Sequence, residues 1–335
     1  MEHPSRGGAE AWRLARRVWE EDYALTRAEA LVLCDPASDL DDLMYWANAL
    51  RRKWRGREVR ACSIVSARTG ACSEDCAFCA QSAHHRAAVS IADFLPPEKI
   101  AAAGRESRGW GSYALGIVTS GRAPDEKDLE RIRRCLAALD AVPGLEKHLS
   151  IGAVDEAQLA KLKPLGLTCV HHNLETSRRF FPRICTTHSY DERLAAARAV
   201  KRQGLRLCCG GIFGLGETWE DRVDLALELR ELGADSAPLN FLHPIPGTPL
   251  EKQPPLPPLE ILRIIALFRL LLFRQDLSVC GGREANLRDL QALIFQAGAN
   301  GLMLGNYLTT AGRSAAADLQ MLADLGLRLA GRERS

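Results

Sequence analysis

The chain has 335 residues, 47% of them apolar, and a formal charge of only +2. A sizeable core can be buried, and acids and bases are interspersed, so no field suited to nucleic acid or an anionic membrane is expected. Residues 1–15 hold no apolar run of the signal-peptide kind, which points to the cytoplasm, and Ile261–Phe273 is too short and too interrupted by Arg263 and Arg269 to span a bilayer.

Residues 1–57 read as helical, with apolar residues at helical spacing in Ala9–Asp22, Thr26–Leu33 and Asp39–Trp54. They end in a basic run, Arg51–Arg57, expected to be a solvated helix end. From residue 58 the pattern changes. Short β-rich runs are expected at Arg60–Ser66, Ser112–Thr119, Lys147–Gly152, Leu167–Asn173, Leu205–Phe213, Ser236–His243, Leu277–Gly281 and Gly301–Gly305. Helical patterns separate most of them, among them Glu126–Leu139, Asp191–Gln203, Trp219–Leu232 and Pro258–Phe273. Eight strands alternating with helices predict an α/β fold, most naturally a (βα)₈ TIM-type barrel with an N-terminal helical extension. An open doubly wound sheet is the alternative. The expected division is 1–57 for the extension, 58–315 for the barrel and 316–335 for a C-terminal helix and tail. The proline-rich stretch Pro254–Pro258 reads as a stiff loop before a helix.

There are eleven cysteines, and thiols used as a group in a reducing compartment are read as metal ligands rather than disulfides. The strongest local signal is Cys72-Ser-Glu-Asp-Cys76-Ala-Phe-Cys79, on a loop just after the first expected strand. This spacing gathers three thiolates around one small volume, as iron–sulfur clusters require. Three ligands on a four-iron cube leave one iron open to a small molecule. A zinc site is the bland alternative, with His84 or His85 as a fourth ligand.

The triad spacing resembles that of the radical S-adenosylmethionine superfamily. Further motifs narrow the likeness: Gly70–Ser82, His171-His172-Asn173-Leu174-Glu175-Thr176-Ser177, Thr186–Arg193, Gly210–Glu217, Asn240 with Gly247–Leu250, Gly281–Glu284 and Ala297–Asn300. Over residues 58–330 the chain resembles the biotin synthase family. The resemblance implies sulfur insertion into dethiobiotin to give biotin. It implies a [4Fe–4S] cluster on Cys72, Cys76 and Cys79, with S-adenosylmethionine cleaved to a 5′-deoxyadenosyl radical. Phe78 and Ile212 would lie against the adenine. Asn173 and Glu175 would hold the ribose hydroxyls and the amino group, and Arg193 would pair with the carboxylate, a task that suits a forked guanidinium. Asn173, Asn240 and His171 would meet the substrate. A low-potential electron donor (flavodoxin or ferredoxin) and a homodimer are implied as well. Two alternatives stay open: another radical enzyme of the same branch, such as a hydrogenase-cofactor maturase or a methylornithine synthase, or a non-catalytic iron–sulfur protein.

One departure stands out. The family's second cluster, a [2Fe–2S] cluster that donates sulfur, uses three cysteines and an arginine. Aligned here, those positions read Ala114, His148, Cys208 and Ser278, so the usual ligand set is missing. Other thiols, Cys185, Cys209 and Cys280, lie near the expected active face. They suggest a different auxiliary iron–sulfur cluster on some three of Cys185, Cys208, Cys209 and Cys280, with His148 as a further contributor. Side chains two apart on a strand share a face. By that rule Cys208 and Cys280 face the lumen, and Cys209 faces outward unless Gly210-Gly211 bulges it inward. Cys34, Cys62, Cys135 and Cys169 read as structural.

Overall fold

A computed structural model describes residues 6–331 apart from Thr309; residues 1–5 and 332–335, which include the ends of the expected extension and tail, lie outside the described residues. Three helices come first: α1 (Arg6–Glu21), α2 (Arg27–Cys34) and α3 (Leu40–Arg55). Their starts are written locally. Thr26 and Glu29 form a reciprocal capping box on α2, and Asp39 caps α3.

The barrel then runs β1 (Glu58–Arg68), α4 (Pro97–Trp110), β2 (Ala114–Thr119), α5 (Glu126–Ala138), β3 (Glu146–Ser150), α6 (Glu156–Leu162), β4 (Leu167–His171) and α7 (Tyr190–Arg202). It continues through β5 (Arg206–Cys208), β6 (Gly211–Phe213), α8 (Trp219–Glu231), β7 (Ser236–Phe241), α9 (Pro258–Leu271) and β8 (Asp276–Val279). The last elements are α10 (Arg283–Leu287), α11 (Leu293–Gln296), β9 (Gly301–Met303), α12 (Ala315–Asp324) and β10 (Arg328–Leu329). Every strand pairs parallel with its neighbours, and β9 pairs with β1, which closes the sheet. β5 and β6 are the two halves of one barrel strand, so the closed sheet is the expected eight-stranded (βα)₈ barrel.

The fifth strand departs from the unbroken run Leu205–Phe213. It is interrupted at Cys209-Gly210, where the chain passes so close to β7 that a Cβ on Gly210 would sit 2.0 Å from the Pro238 carbonyl oxygen. The short β10, which pairs with the start of β1, had no signal in the sequence.

α9 is the buried helix expected at Ile261–Phe273. It is covered by α3 and α8. Its two arginines tie the layers together. Arg269 is fully buried; its Nε donates to Gly298 O at 2.7 Å and its Nη2 to Asn300 Oδ1 at 2.7 Å. Arg263 Nη2 donates to Ser38 O at 2.9 Å. The basic run after α3 is not simply solvated. Arg51 is buried and its Nε donates to Phe295 O at 3.1 Å, while Arg55 pairs with Asp276 at 2.7 Å. These charged heads satisfy carbonyls and a carboxylate that the barrel's underside would otherwise bury unpaired.

Candidate functional site

The cluster loop, residues 70–85, leaves the C-terminal end of β1. Gly70 and Ala71 both take positive φ, which turns the chain across the barrel mouth. The loop is zipped by its own backbone: Cys72 N–H donates to Gln81 O at 3.0 Å, and Ala83 N–H donates to Cys72 O at 2.8 Å. Ala77 N–H reaches Ile184 O at 2.8 Å and ties the loop to the segment after β4. The result puts Cys72, Cys76 and Cys79 on the wall of one cavity of about 240 Å³. Three thiols facing one space suit a four-iron cluster. His84 and His85 do not line it; their ring nitrogens lie 2.9 Å from the Ser73 and Cys79 carbonyls, so neither supplies the fourth ligand of the zinc alternative, although Cys76 lies beside Cys185 and His188.

The acidic residues of the loop explain the second motif. Asp75 accepts hydrogen bonds from the Thr186 hydroxyl and from the Thr186 and Thr187 N–H groups, the last two at 2.9 and 3.2 Å; against the opposing effect of burial, these bonds hold its carboxyl well below the usual range. Glu74 accepts from Thr187 Oγ1 at 2.7 Å and from His188 Nδ1. His188 Nε2 then accepts from Arg193 Nη1 at 3.1 Å. Arg193 Nε donates to Asn173 O at 2.7 Å, and its Nη2 donates to Glu175 Oε1 at 3.1 Å. Arg193, Glu175, Asn173, His171 and Phe78 all line the triad's cavity.

Glu175 carries the clearest mark of a ligand site. It is a buried non-glycine residue at φ 70°, a conformation that costs about 1–3 kcal/mol. Backbone bonds on both sides hold it there, from Glu175 N–H to Gly210 O at 3.2 Å and from Ile212 N–H to Glu175 O at 2.8 Å. Its Oε2 is buried with no hydrogen-bond partner among the described residues. Burial pushes its carboxyl up, against the pull of Arg193. An ammonium or hydroxyl donor placed in the cavity would satisfy this oxygen. The set therefore fits an amino-acid cofactor beside the cluster.

A second cavity, of about 370 Å³, occupies the barrel lumen and shares Phe78, Cys79, His171, Asn173 and Glu175 with the first. Cys208, Cys280, Ile212 and Asn240 line it as strand parity requires. Asn240 braces the broken strand: its Nδ2 donates to Gly211 O at 3.1 Å, and its Oδ1 accepts from Gly281 N–H at 2.9 Å. Asn173 Oδ1 accepts from Gly210 N–H at 3.1 Å.

Two of the auxiliary thiols fall elsewhere. Cys209 is fully buried in the apolar shell, so the break at Gly210 does not turn it inward. Cys185 lies behind the triad, its Sγ 3.9 Å from Cys76 Sγ and 3.3 Å from His188 Nδ1. Neither lines the lumen cavity.

Cys62, in contrast, lines the lumen cavity with Arg60 and Ile64, a position that its reading as a structural cysteine did not foresee. It is the register partner of Ala114. The alternation Arg60, Cys62, Ile64 on an expected strand was the available signal. Burial pushes the Cys62 thiol up to about 11 and that of Cys208 up to about 12.

His148 does not stand alone. Its Nδ1 lies 3.0 Å from His171 Nε2, and its Nε2 lies 3.2 Å from Glu146 Oε2. The Nδ1–Nε2 contact needs one proton between the two rings, and His148 Nε2 faces both the Glu146 carboxylate and Arg206 Nη2, the latter 3.4 Å away. The His171 ring borders both cavities. Burial holds both rings neutral, pushing each pKa down to about 3.

Residues 67–229 match the model of the radical SAM superfamily, and residues 238–328 match that of the Biotin and Thiamin Synthesis associated domain. The biotin synthase of Heliobacterium modesticaldum is 52% identical over 87% of this chain and 90% of its own length. That of Geobacter sulfurreducens is 50% identical over 90% of this chain and 91% of its own. Among solved structures, a methylornithine synthase superposes with TM-score 0.82 at 22% identity, over 95% of this chain and 97% of its own. A maturase of the [FeFe]-hydrogenase superposes with TM-score 0.84 at 15% identity, over 97% of this chain and 76% of its own. At such identities these two likenesses speak for the barrel alone. The curated relatives, which share half their residues with it across nearly its whole length, show that the chain belongs to the biotin synthase family of radical S-adenosylmethionine enzymes.

Proposed function

We propose that the chain converts dethiobiotin to biotin, with the inserted sulfur drawn from an auxiliary iron–sulfur cluster in the barrel lumen. The observation that carries this reading is the shared wall of the two cavities. A substrate lodged along Phe78, His171 and Asn173 would have the triad on one side and the lumen thiols on the other.

When bound at Cys72, Cys76 and Cys79, a [4Fe–4S] cluster with S-adenosylmethionine supplies the 5′-deoxyadenosyl radical that abstracts hydrogen from carbon. The chain's own residues do the positioning. Arg193 would pair with the cofactor carboxylate through N–H groups left over from holding Asn173 and Glu175 in place. Glu175 and Asn173 would take the amino group and ribose hydroxyls. Phe78 and Ile212 would flank the adenine. The substrate's ureido ring offers two N–H donors and one carbonyl acceptor. The His171 ring suits one N–H, and Asn173 and Asn240 serve the remaining positions. The enclosed lumen keeps water from a carbon radical.

A low-potential donor, flavodoxin or ferredoxin, and a homodimer in the cytoplasm complete the reading. No helix among the described residues is long and apolar enough to cross a membrane. Residues 1–57, 58–315 and 316–335 are taken as extension, barrel and tail of one unit, supported by the packing of α3 on α9.

The test is anaerobic reconstitution followed by dethiobiotin, S-adenosylmethionine and reductant, with biotin and 5′-deoxyadenosine measured by mass spectrometry. The parent should form both, and Cys76→Ala neither. 5′-Deoxyadenosine without biotin would overturn the substrate.

A further inference from the structure

Cys185 sits at the barrel mouth, and the cluster triad leaves it without a task. Its Sγ lies 3.9 Å from that of Cys76, although 109 residues separate the two in the chain. Both are free thiols. The chain is tied on each side of the pair. Before Cys76, Asp75 accepts from the Thr186 and Thr187 N–H groups at 2.9 and 3.2 Å; after it, Ala77 N–H donates to Ile184 O at 2.8 Å. The neighbours of one cysteine thus bond to the neighbours of the other, and these ties hold the two thiols beside each other. A disulfide needs its sulfurs about 2 Å apart, so closing the gap takes about 2 Å of travel, which rotation of the two side chains can share.

The two thiols differ in access. Cys76 lines the first cavity, whereas Cys185 is buried and lines neither cavity. An oxidant from solution therefore meets Cys76 first. The Cys185 sulfur has His188 Nδ1 at 3.3 Å and Thr187 Oγ1 at 3.5 Å as polar neighbours, a setting that suits thiol exchange.

We propose that Cys185 is the resolving cysteine of a redox switch at the triad, forming a disulfide with Cys76 when the cluster is absent. While iron holds the Cys76 sulfur the bond cannot form, so the switch reads whether the cluster is in place. The oxidant is a small disulfide of the glutathione disulfide kind. Cys76, as the thiolate, attacks one sulfur of the oxidant. A mixed disulfide forms, the oxidant's S–S bond breaks, and one thiol leaves with the proton that Cys76 gave up. Cys185 then attacks the Cys76 sulfur and releases the second thiol in the same way. The two protein thiols lose two electrons, and the oxidant gains them. The bond withholds Cys76 from a new cluster until a dithiol reduces it, and it keeps that sulfur off the irreversible steps of cysteine oxidation. This needs only the triad as cluster ligands; it depends neither on the substrate nor on any centre in the lumen.

The test maps thiols. The full chain is stripped of metal anaerobically with a chelator, freed of reductant and exposed to glutathione disulfide. Remaining thiols are blocked with N-ethylmaleimide, and tryptic peptides are mapped by mass spectrometry. Cys185 falls in residues 184–193, with no other cysteine, and Cys76 in residues 69–86, with Cys72 and Cys79. The parent should give these two peptides linked, and dithiothreitol should release them. Cys72→Ser and Cys79→Ser should keep the link. Cys76→Ser should lose it, with residues 184–193 recovered as the blocked free thiol, and Cys185→Ser should leave glutathione on Cys76. Circular dichroism checks that each variant keeps the parent fold. Cys185 recovered as a free thiol from the oxidised parent, or linked to a cysteine other than Cys76, would overturn the switch. So would a link that forms equally fast while the cluster is bound.

Discussion

The two cysteine regions are built on opposite principles. Cys72, Cys76 and Cys79 belong to one short loop, shaped by its own backbone hydrogen bonds and by the clamp of Glu74 and Asp75 on Thr186–His188. Cys62 and Cys208 lie on strands, and Cys280 just after one, far apart in the chain, and the closing pair of β1 with β9 helps to make them neighbours of one cavity. The loop's geometry is set by its own hydrogen bonds, whereas the lumen's is set by strand register. A loop site leaves its spacing in the sequence; a lumen site leaves only parity.

Three changes test that contrast. The largest effect is expected from Glu175→Gln, which keeps the shape but removes the charge that faces the first cavity. Loss of one charge-assisted hydrogen bond should weaken S-adenosylmethionine binding about 10–100-fold in anaerobic equilibrium dialysis. Bound iron should not change. Unaltered affinity would detach the buried Oε2 from the cofactor.

Gly210→Ala acts on the lumen side. Its Cβ would strike the Pro238 carbonyl, a backbone atom that cannot step aside. The cost should be about 1–3 kcal/mol in chemical denaturation, with loss of lumen iron ahead of triad iron. Equal loss from both centres would mean that the strand break does not specifically support the lumen.

The smallest effect concerns the histidine pair. Burial lowers His148 and His171 from 6.5 to about 3 in the folded chain. The unfolded chain therefore binds more protons between these values. The stability linked to the pair is complete above about pH 6.5 and is lost as pH falls toward 3. The unfolding midpoint of the parent should fall more steeply from pH 6.5 to 4 than that of His148→Gln. Parallel profiles would show that burial of His148 carries no proton linkage.

The amino-acid sequence by itself determined the barrel, because eight β-rich runs alternate with helical ones and parallel βα units close in few ways. It also determined the triad and its surroundings, since Asn173, Glu175 and Arg193 lie in motifs whose spacing survives folding as local geometry. Parity placed Cys208 and Cys280 correctly. Tertiary structure decided the remainder. Cys62 joined the lumen because barrel closure, not chain proximity, sets which strands face each other. Cys185 moved behind Cys76 because the clamp at Glu74 and Asp75 draws its loop there. Cys209 stayed outside because close approach to β7 breaks the strand at Gly210 without reversing its face. Each of these outcomes depends on contacts between residues far apart in the chain, and such contacts leave no periodicity behind.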